Sequence, residues 1–226
     1  MPRVKCFWGG FTLLEATFSG IAAILASGDL PDHALLLSGQ DYPLQRPSEI
    51  GAFLEARRGR NLLHHFRLPA EQWVIEGGGV NRLRYPHFER VRVRTRLLRL
   101  PIPRRLPAGL EPFGGMAYWG LTGSTLAHVM ELVSERPEVL RFFRRTKMPD
   151  ETFFQTVIMS GPLATTVDNE EMHYHDWSAG TAHPAVLGVG DLPKLRASGK
   201  LFARKFDAAV DSAILDLLDE EPAGVP

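Results

Sequence analysis

The chain has 226 residues, 44% of them hydrophobic and 23% charged, with 26 basic side chains matched by 26 acidic ones. That length buries one full core and the composition is that of a soluble globular protein, while zero formal charge argues against general affinity for polyanions. A single cysteine, Cys6, excludes a disulfide framework and makes a reducing compartment the default.

The first segment, Arg3–Trp8, alternates like a strand and ends at Gly9-Gly10. Thr12 is placed to N-cap a helix through about Ala26, with Glu15 completing a capping box. The apolar run Phe18–Ala26 inside it is too short to span a bilayer, so neither leader nor anchor is read and a cytoplasmic location is expected. Ala34–Leu37 is a continuous apolar run, the pattern of a strand buried on both faces of a parallel sheet. It leads into the polar loop Ser38–Leu44, where open α/β sheets place their ligands, so Asp41 and Tyr42 are expected to line a cleft. Pro47 starts a helix to about Arg57, and Asn61–Phe66 returns as a strand.

Nine arginines fall between Arg82 and Arg105, and Arg90, Arg92, Arg94 and Arg96 alternate with Val91, Val93 and Thr95. Such a strand has one charged face, which either grips phosphates or is a solvated edge protected by charge. Without interleaved aromatics or net basic charge, nucleic acid is not an expected partner. Gly115–Leu121 is a second apolar strand, Thr122 or Ser124 caps a helix through about Val133, and Pro137–Arg145 is a basic helix. Asp191 opens a short helix, Leu201–Phe206 is extended, and Ala208–Leu218 forms an amphipathic terminal helix. Short elements separated by many prolines and glycines indicate a mixed α/β fold, read as a single domain over 1–226.

Between the basic helix and the polar tail lies Met148-Pro149-Asp150-Glu151-Thr152-Phe153-Phe154-Gln155. Pro149 fits the first helical turn, which puts Asp150 and Glu151 where unpaired amides and the helix dipole favour ionised carboxylates. Phe153, Phe154 and Val157 form the apolar stripe that docks this helix. A carboxylate so held suits a general base that takes a proton from an attacking hydroxyl, although the same pattern opens ordinary helices.

Other chemistries find less support. His173, His175 and Asp176, or Asp168 and Glu170, are metal-ligand types without a ligand-set spacing, so no metal is expected. Ser38 lacks a nucleophile elbow, Cys6 lacks activating neighbours, and no glycine-rich phosphate loop precedes a helix. The pair Arg204-Lys205, set between Phe202 and Phe206, has the charge to neutralise a diphosphate leaving group.

Four segments, in order, resemble the core-2/I-branching β-1,6-N-acetylglucosaminyltransferase and peptide O-xylosyltransferase family, glycosyltransferase family 14. They are Trp8-Gly9-Gly10-Phe11 with Leu14-Glu15-Ala16; Leu37-Ser38-Gly39-Gln40-Asp41-Tyr42-Pro43-Leu44; Pro149-Asp150-Glu151-Thr152-Phe153-Phe154-Gln155-Thr156; and Asp176-Trp177-Ser178 with Gly190-Asp191-Leu192-Pro193 and Leu201-Phe202-Ala203-Arg204-Lys205-Phe206-Asp207. The resemblance implies a GT-A-like α/β fold with a mixed, mostly parallel sheet flanked by helices. It implies inverting, metal-independent transfer of N-acetylglucosamine or xylose from a UDP-sugar to an acceptor hydroxyl, with no cofactor beyond that donor. A non-catalytic glycan- or nucleotide-binding remnant of the family is the alternative.

On the same resemblance Glu151 is the catalytic base and Lys205 contacts the diphosphate. A second basic ligand either is vacant or falls to His183 or Arg204. Arg204, Trp8 and Asp41 join Lys205 on the donor side, and Tyr42, Tyr174, Asp176 and Trp177 are assigned to the acceptor. Family members normally begin with a strand-helix-strand unit, and the resemblance implies that this chain starts after it, as a fragment of a longer domain, through a misplaced start, or with part of the donor site lost. Its first strand is therefore expected to leave an exposed apolar edge and to favour self-association.

Overall fold

The computed structural model describes residues 3–74, 76–93, 96–180 and 183–220, with the side chains of residues 90, 92, 93 and 96 also outside the description. Its elements begin with α1 (Thr12–Leu25), β1 (Ala34–Leu35), β2 (Asp41–Pro43), α2 (Pro47–Glu55), β3 (Asn61–Leu63) and β4 (Phe66–Arg67). Then come α3 (Val80–Arg84), β5 (His87–Val93), β6 (Arg96–Arg99), β7 (Phe113–Gly114), β8 (Trp119–Leu121), α4 (Gly123–Glu135) and α5 (Pro137–Phe143). A 3-10 turn at Pro149–Glu151 precedes α6 (Phe153–Met159), followed by β9 (Val167–Asp168), β10 (His173–His175), α7 (Leu192–Ala197), β11 (Phe202–Arg204) and α8 (Ala213–Asp219). Among the described residues no helix is long and apolar enough to cross a membrane.

The chain packs as two compact units, each assembled from separated segments: Met1–Ala34 with Gly59–Asn169, and Leu35–Arg58 with Glu170–Pro226. In the first, a four-stranded sheet runs β1-β8-β3-β9. The middle strands β3 and β8 are fully buried. Beside them Phe153 and Phe154 from α6 meet Phe18, Phe143 and Trp119 at ring separations of 5.0 to 5.2 Å. Edge-to-face rings of this kind add to the burial of large apolar area. Asn61 ties the sheet together: its Oδ1 accepts the Thr122 N–H at 3.0 Å and its Nδ2 donates to Thr166 Oγ at 2.8 Å. Thr122 Oγ accepts the Thr125 N–H at 3.2 Å and so caps α4, as the sequence predicts.

In the second unit the sheet order is β10-β11-β2, and Leu187, Leu195, Ala203, Phe206 and Ile214 form the core. The sequence predicts a mostly parallel sheet, but the sheets are small and mixed. Among the described pairings β3 with β9 and β10 with β11 run parallel, whereas β3 with β8, β2 with β11, β4 with β7 and β5 with β6 run antiparallel. The connection from Val93 to Arg96 is too short for the crossover that a parallel pair needs.

Two further expectations are corrected near the start. Arg3–Trp8 forms no strand; it bends into a turn where the Gly10 N–H reaches the Phe7 carbonyl at 3.0 Å. The apolar edge expected there is therefore not formed. Only Ala34 and Leu35 of the run to Leu37 enter a sheet, at its edge and half-buried, so that run is not a doubly covered strand. Of the alternating arginine face, β5 and β6 form a hairpin, while Arg94 and Thr95 lie outside the described residues.

Candidate active site

The Pro149–Glu151 turn is held from three sides in the first unit. Met148 donates its N–H to the Gly9 carbonyl at 2.9 Å, Gly115 donates to the Glu151 carbonyl at 3.0 Å, and Gln155 Nε2 donates to the Met116 carbonyl at 2.7 Å. Gly115 is required here, because an added Cβ would overlap the His64 carbonyl oxygen. The turn is a separate 3-10 element, broken from α6 at Thr152 (φ −137°), so Asp150 and Glu151 do not occupy the first turn of α6 as the sequence predicts.

Their charges are set by neighbours instead. Glu151 ion-pairs with Arg82, whose side chain is only 9% exposed and whose guanidinium lies 3.9 Å over the Trp73 ring. Arg82 Nε also meets Glu76 at 2.9 Å, and Lys147 pairs with the other Glu76 oxygen. Burial raises the Glu151 carboxyl above its ordinary range, and the Arg82 charge lessens that shift without reversing it. Burial opposes the charge on Glu76 as well, but Lys147 and Arg82 outweigh it and hold that carboxyl low. Asp150 has no such partner. Its Oδ1 is buried and unbonded among the described residues, and burial, with the Glu151 charge added, pushes it up to about 7. The expectation that both carboxylates stay ionised thus fails for Asp150 up to about neutral pH, because the dipole of one short turn does not offset the burial of its carboxyl oxygen. Glu151 keeps 22% side-chain exposure, so one carboxylate in this network is both charge-compensated and open to solvent.

Of this network the sequence reading singles out Glu151 alone. Arg82 is lost among nine arginines, and Trp73, Glu76 and Lys147 lie on irregular segments with no periodic signal.

In the second unit, β2 and β11 set Asp41 opposite Arg204. The Asp41 side chain, 1% exposed, accepts the Ser38 N–H at 2.6 Å and Ser38 Oγ–H at 2.8 Å, with Arg204 Nη1 at 3.3 Å and His173 Nε2 at 3.4 Å. Burial disfavours its charge, yet the nearby His173 imidazole and hydrogen bonds from Ser38 prevail and leave its carboxyl below the ordinary range. Arg204 is thereby committed to Asp41 and Ser38, whereas the half-buried Lys205 ammonium has no hydrogen bond or ion pair among the described residues.

Tyr42 turns its hydroxyl to Asp219, 2.9 Å from each carboxylate oxygen, and Tyr174 packs on the second core. Asp176 accepts the Ser178 N–H at 2.8 Å. Phe202, His173, His175 and Trp177 form a ladder of rings at 5.3, 5.8 and 6.1 Å, ending at Trp177, which is 48% exposed. Trp8 and His183 are exposed. Asp168, weighed as a metal ligand, is bound by Arg60 Nε and Nη2 at 3.0 and 2.6 Å. Among the described residues no three His, Cys, Asp or Glu side chains are grouped to hold a metal ion.

A family model described as Core-2/I-Branching enzyme matches residues 1–194. Similar proteins include xylosyltransferase oxt of Drosophila pseudoobscura pseudoobscura, 28% identical across 96% of this chain and 26% of that protein. Xylosyltransferase 2 of Rattus norvegicus is 28% identical, and xylosyltransferase 1 of Canis lupus familiaris 29%, each across 99% of this chain and 28% and 25% of those proteins. The chain therefore spans about a quarter of the length of the curated relatives it matches.

Proposed function

Because the chain belongs to the core-2/I-branching enzyme family, we propose that it is an inverting glycosyltransferase that moves xylose or N-acetylglucosamine from a UDP-sugar to an acceptor hydroxyl. The observation that carries this reading is the Glu151 carboxylate, compensated by a buried Arg82 yet still open to solvent. In the reaction Glu151 takes the proton of the acceptor hydroxyl as its oxygen attacks the anomeric carbon. A bond forms between that oxygen and C1, the bond from C1 to the diphosphate oxygen breaks, and UDP leaves with the electron pair. Displacement from the opposite face inverts the anomeric centre.

Lys205 is the group assigned to the diphosphate charge, in place of a metal. Its ammonium, unpaired in the described structure, supports that role, whereas Arg204 is already engaged by Asp41 and acts by holding the β2–β11 register. Trp177, an exposed ring at the end of a stacked ladder, is the aromatic platform for an acceptor glycan. The names of the relatives favour xylose as the sugar moved.

The test is turnover of a panel of UDP-sugars, each with and without chelator, read by release of UDP. Release from UDP-xylose or UDP-N-acetylglucosamine that survives chelator supports the reading. Absence of release from every donor, or release that requires added Mn²⁺, overturns it.

A further inference from the structure

Apart from the Glu151 network, the first unit holds a polar hollow of about 450 Å³, walled by Phe11 and Phe88 and by three arginines, Arg141, Arg144 and Arg145. The volume lies within the usual range for small-ligand sites. The arginines stand at i, i+3 and i+4 on α5 and its last turn, so they share one face. Like charges at that spacing repel, and Arg145 also adds to the positive surroundings of Arg104.

Among the described residues little offsets them. Two carboxylates, Glu15 and Glu89, reach the hollow. Glu15 is 3.7 Å from Arg144, beyond hydrogen-bonding distance. Glu89 is drawn to the start of α1, where it accepts from the Thr12 N–H at 3.2 Å and Thr12 Oγ at 3.3 Å. Gly10 makes that approach possible, since a Cβ there would overlap the Glu89 carboxylate. The guanidinium groups of Arg144 and Arg145 rest over the Phe11 and Phe88 rings at 5.0 and 4.2 Å. Ring contacts fix a guanidinium plane without consuming its N–H donors. Among the described residues no side-chain hydrogen bond from any of the three arginines is found. Exposed guanidinium forks on one wall, of which among the described residues only Arg144 has a carboxylate within ion-pair distance and that one at 3.7 Å, are the equipment for binding a phosphate, sulfate or carboxylate.

We propose that this hollow is a binding site for an oxyanion group carried on a ligand about the size of one sugar residue. The inference does not depend on sugar transfer, and its test uses neither donor nor turnover. Glucose 6-phosphate, glucose 6-sulfate and glucuronate, with glucose as the neutral control, are titrated calorimetrically into the full chain at low and high salt. At least one charged probe is expected to bind, more weakly at high salt, and glucose is not. The charged probe that binds identifies the oxyanion.

The double variant Arg141→Ala/Arg145→Ala is expected to weaken that binding about tenfold or more, from the loss of charge-assisted contacts. Lys205→Ala is expected to leave it unchanged. A second measurement covers loss of fold in the double variant: phenylglyoxal modification of the intact wild-type chain, in which the bound probe should protect Arg141 and Arg145. Failure of every charged probe to bind, equal binding by the folded double variant, or modification of these arginines at an undiminished rate would overturn the assignment.

Discussion

Asp150 and Glu151 are adjacent carboxyl groups that burial raises alike, but Glu151 pairs directly with the Arg82 guanidinium while Asp150 feels it only at a distance. Glu151→Gln keeps the volume and removes the base, so kcat is expected to fall by about 10² or more with the melting temperature nearly unchanged. Near-normal turnover by that variant would rule Glu151 out. For Asp150 the folded pKa, about 7, lies above its ordinary 3.8, so the folded chain holds the proton more tightly than the unfolded one. The stability this contributes is full below about pH 4 and is lost as pH rises through about 7. Asp150→Asn is therefore expected to flatten that decline and to stabilise the chain at pH 8, by about 4 kcal/mol at most, since each pKa unit is about 1.4 kcal/mol. Urea unfolding at pH 4 and pH 8 checks it, and equal pH dependence in both proteins counts against a neutral Asp150. Lys205→Ala is expected to weaken UDP binding by about 2 kcal/mol, the scale of one charge-assisted contact, as read by titration without metal.

The three-residue turn that carries Glu151 has little stability of its own, and its position is borrowed from the segment between β7 and β8. Gly115→Ala sets a methyl against the His64 carbonyl and pushes on the N–H that holds Glu151. A cost of about 2 kcal/mol is expected from such overpacking, with a loss of activity larger than the stability change accounts for. Gly39→Ala, where nothing lies within 4 Å, is the neutral control, and denaturation with parallel rate measurements compares the two. The same contrast shows what was legible beforehand. Helices with local signals were readable: α1, α2, α4 and α5 follow their apolar periods, and Pro47, Thr122 and Pro137 mark starts. Thr12 does not N-cap α1, because its hydroxyl accepts the Phe7 N–H at 2.8 Å and donates to the sequence-distant Glu89. The motif reading found Glu151, but the Arg82 ion pair that sets its charge joins residues 69 positions apart. Register, parallelism and long-range pairing are tertiary properties, and no local pattern encodes them.

At the scale of the molecule, each compact unit is made from two separated segments, and the largest sheet of each depends on a late strand. In the second unit β11 is central, the strand through which both β10 and β2 are paired. Deleting 201–226 is expected to leave the amides of residues 41–43 and 173–175 in rapid hydrogen exchange, while those of 61–63 and 119–121 keep their protection. Equal loss of protection in both sets would show the two units to unfold as one. The interleaving also imposes a schedule on biosynthesis. Leu62 emerges from the ribosome about a hundred residues before its parallel partner Asp168, and Tyr42 still longer before Ala203. At roughly 5–20 residues per second, β3 and β2 wait on the order of ten seconds with edges unpaired. During that interval the nascent chain exposes unpaired β-edge to solvent or to a chaperone, and slow codons between residues 63 and 167 would lengthen it.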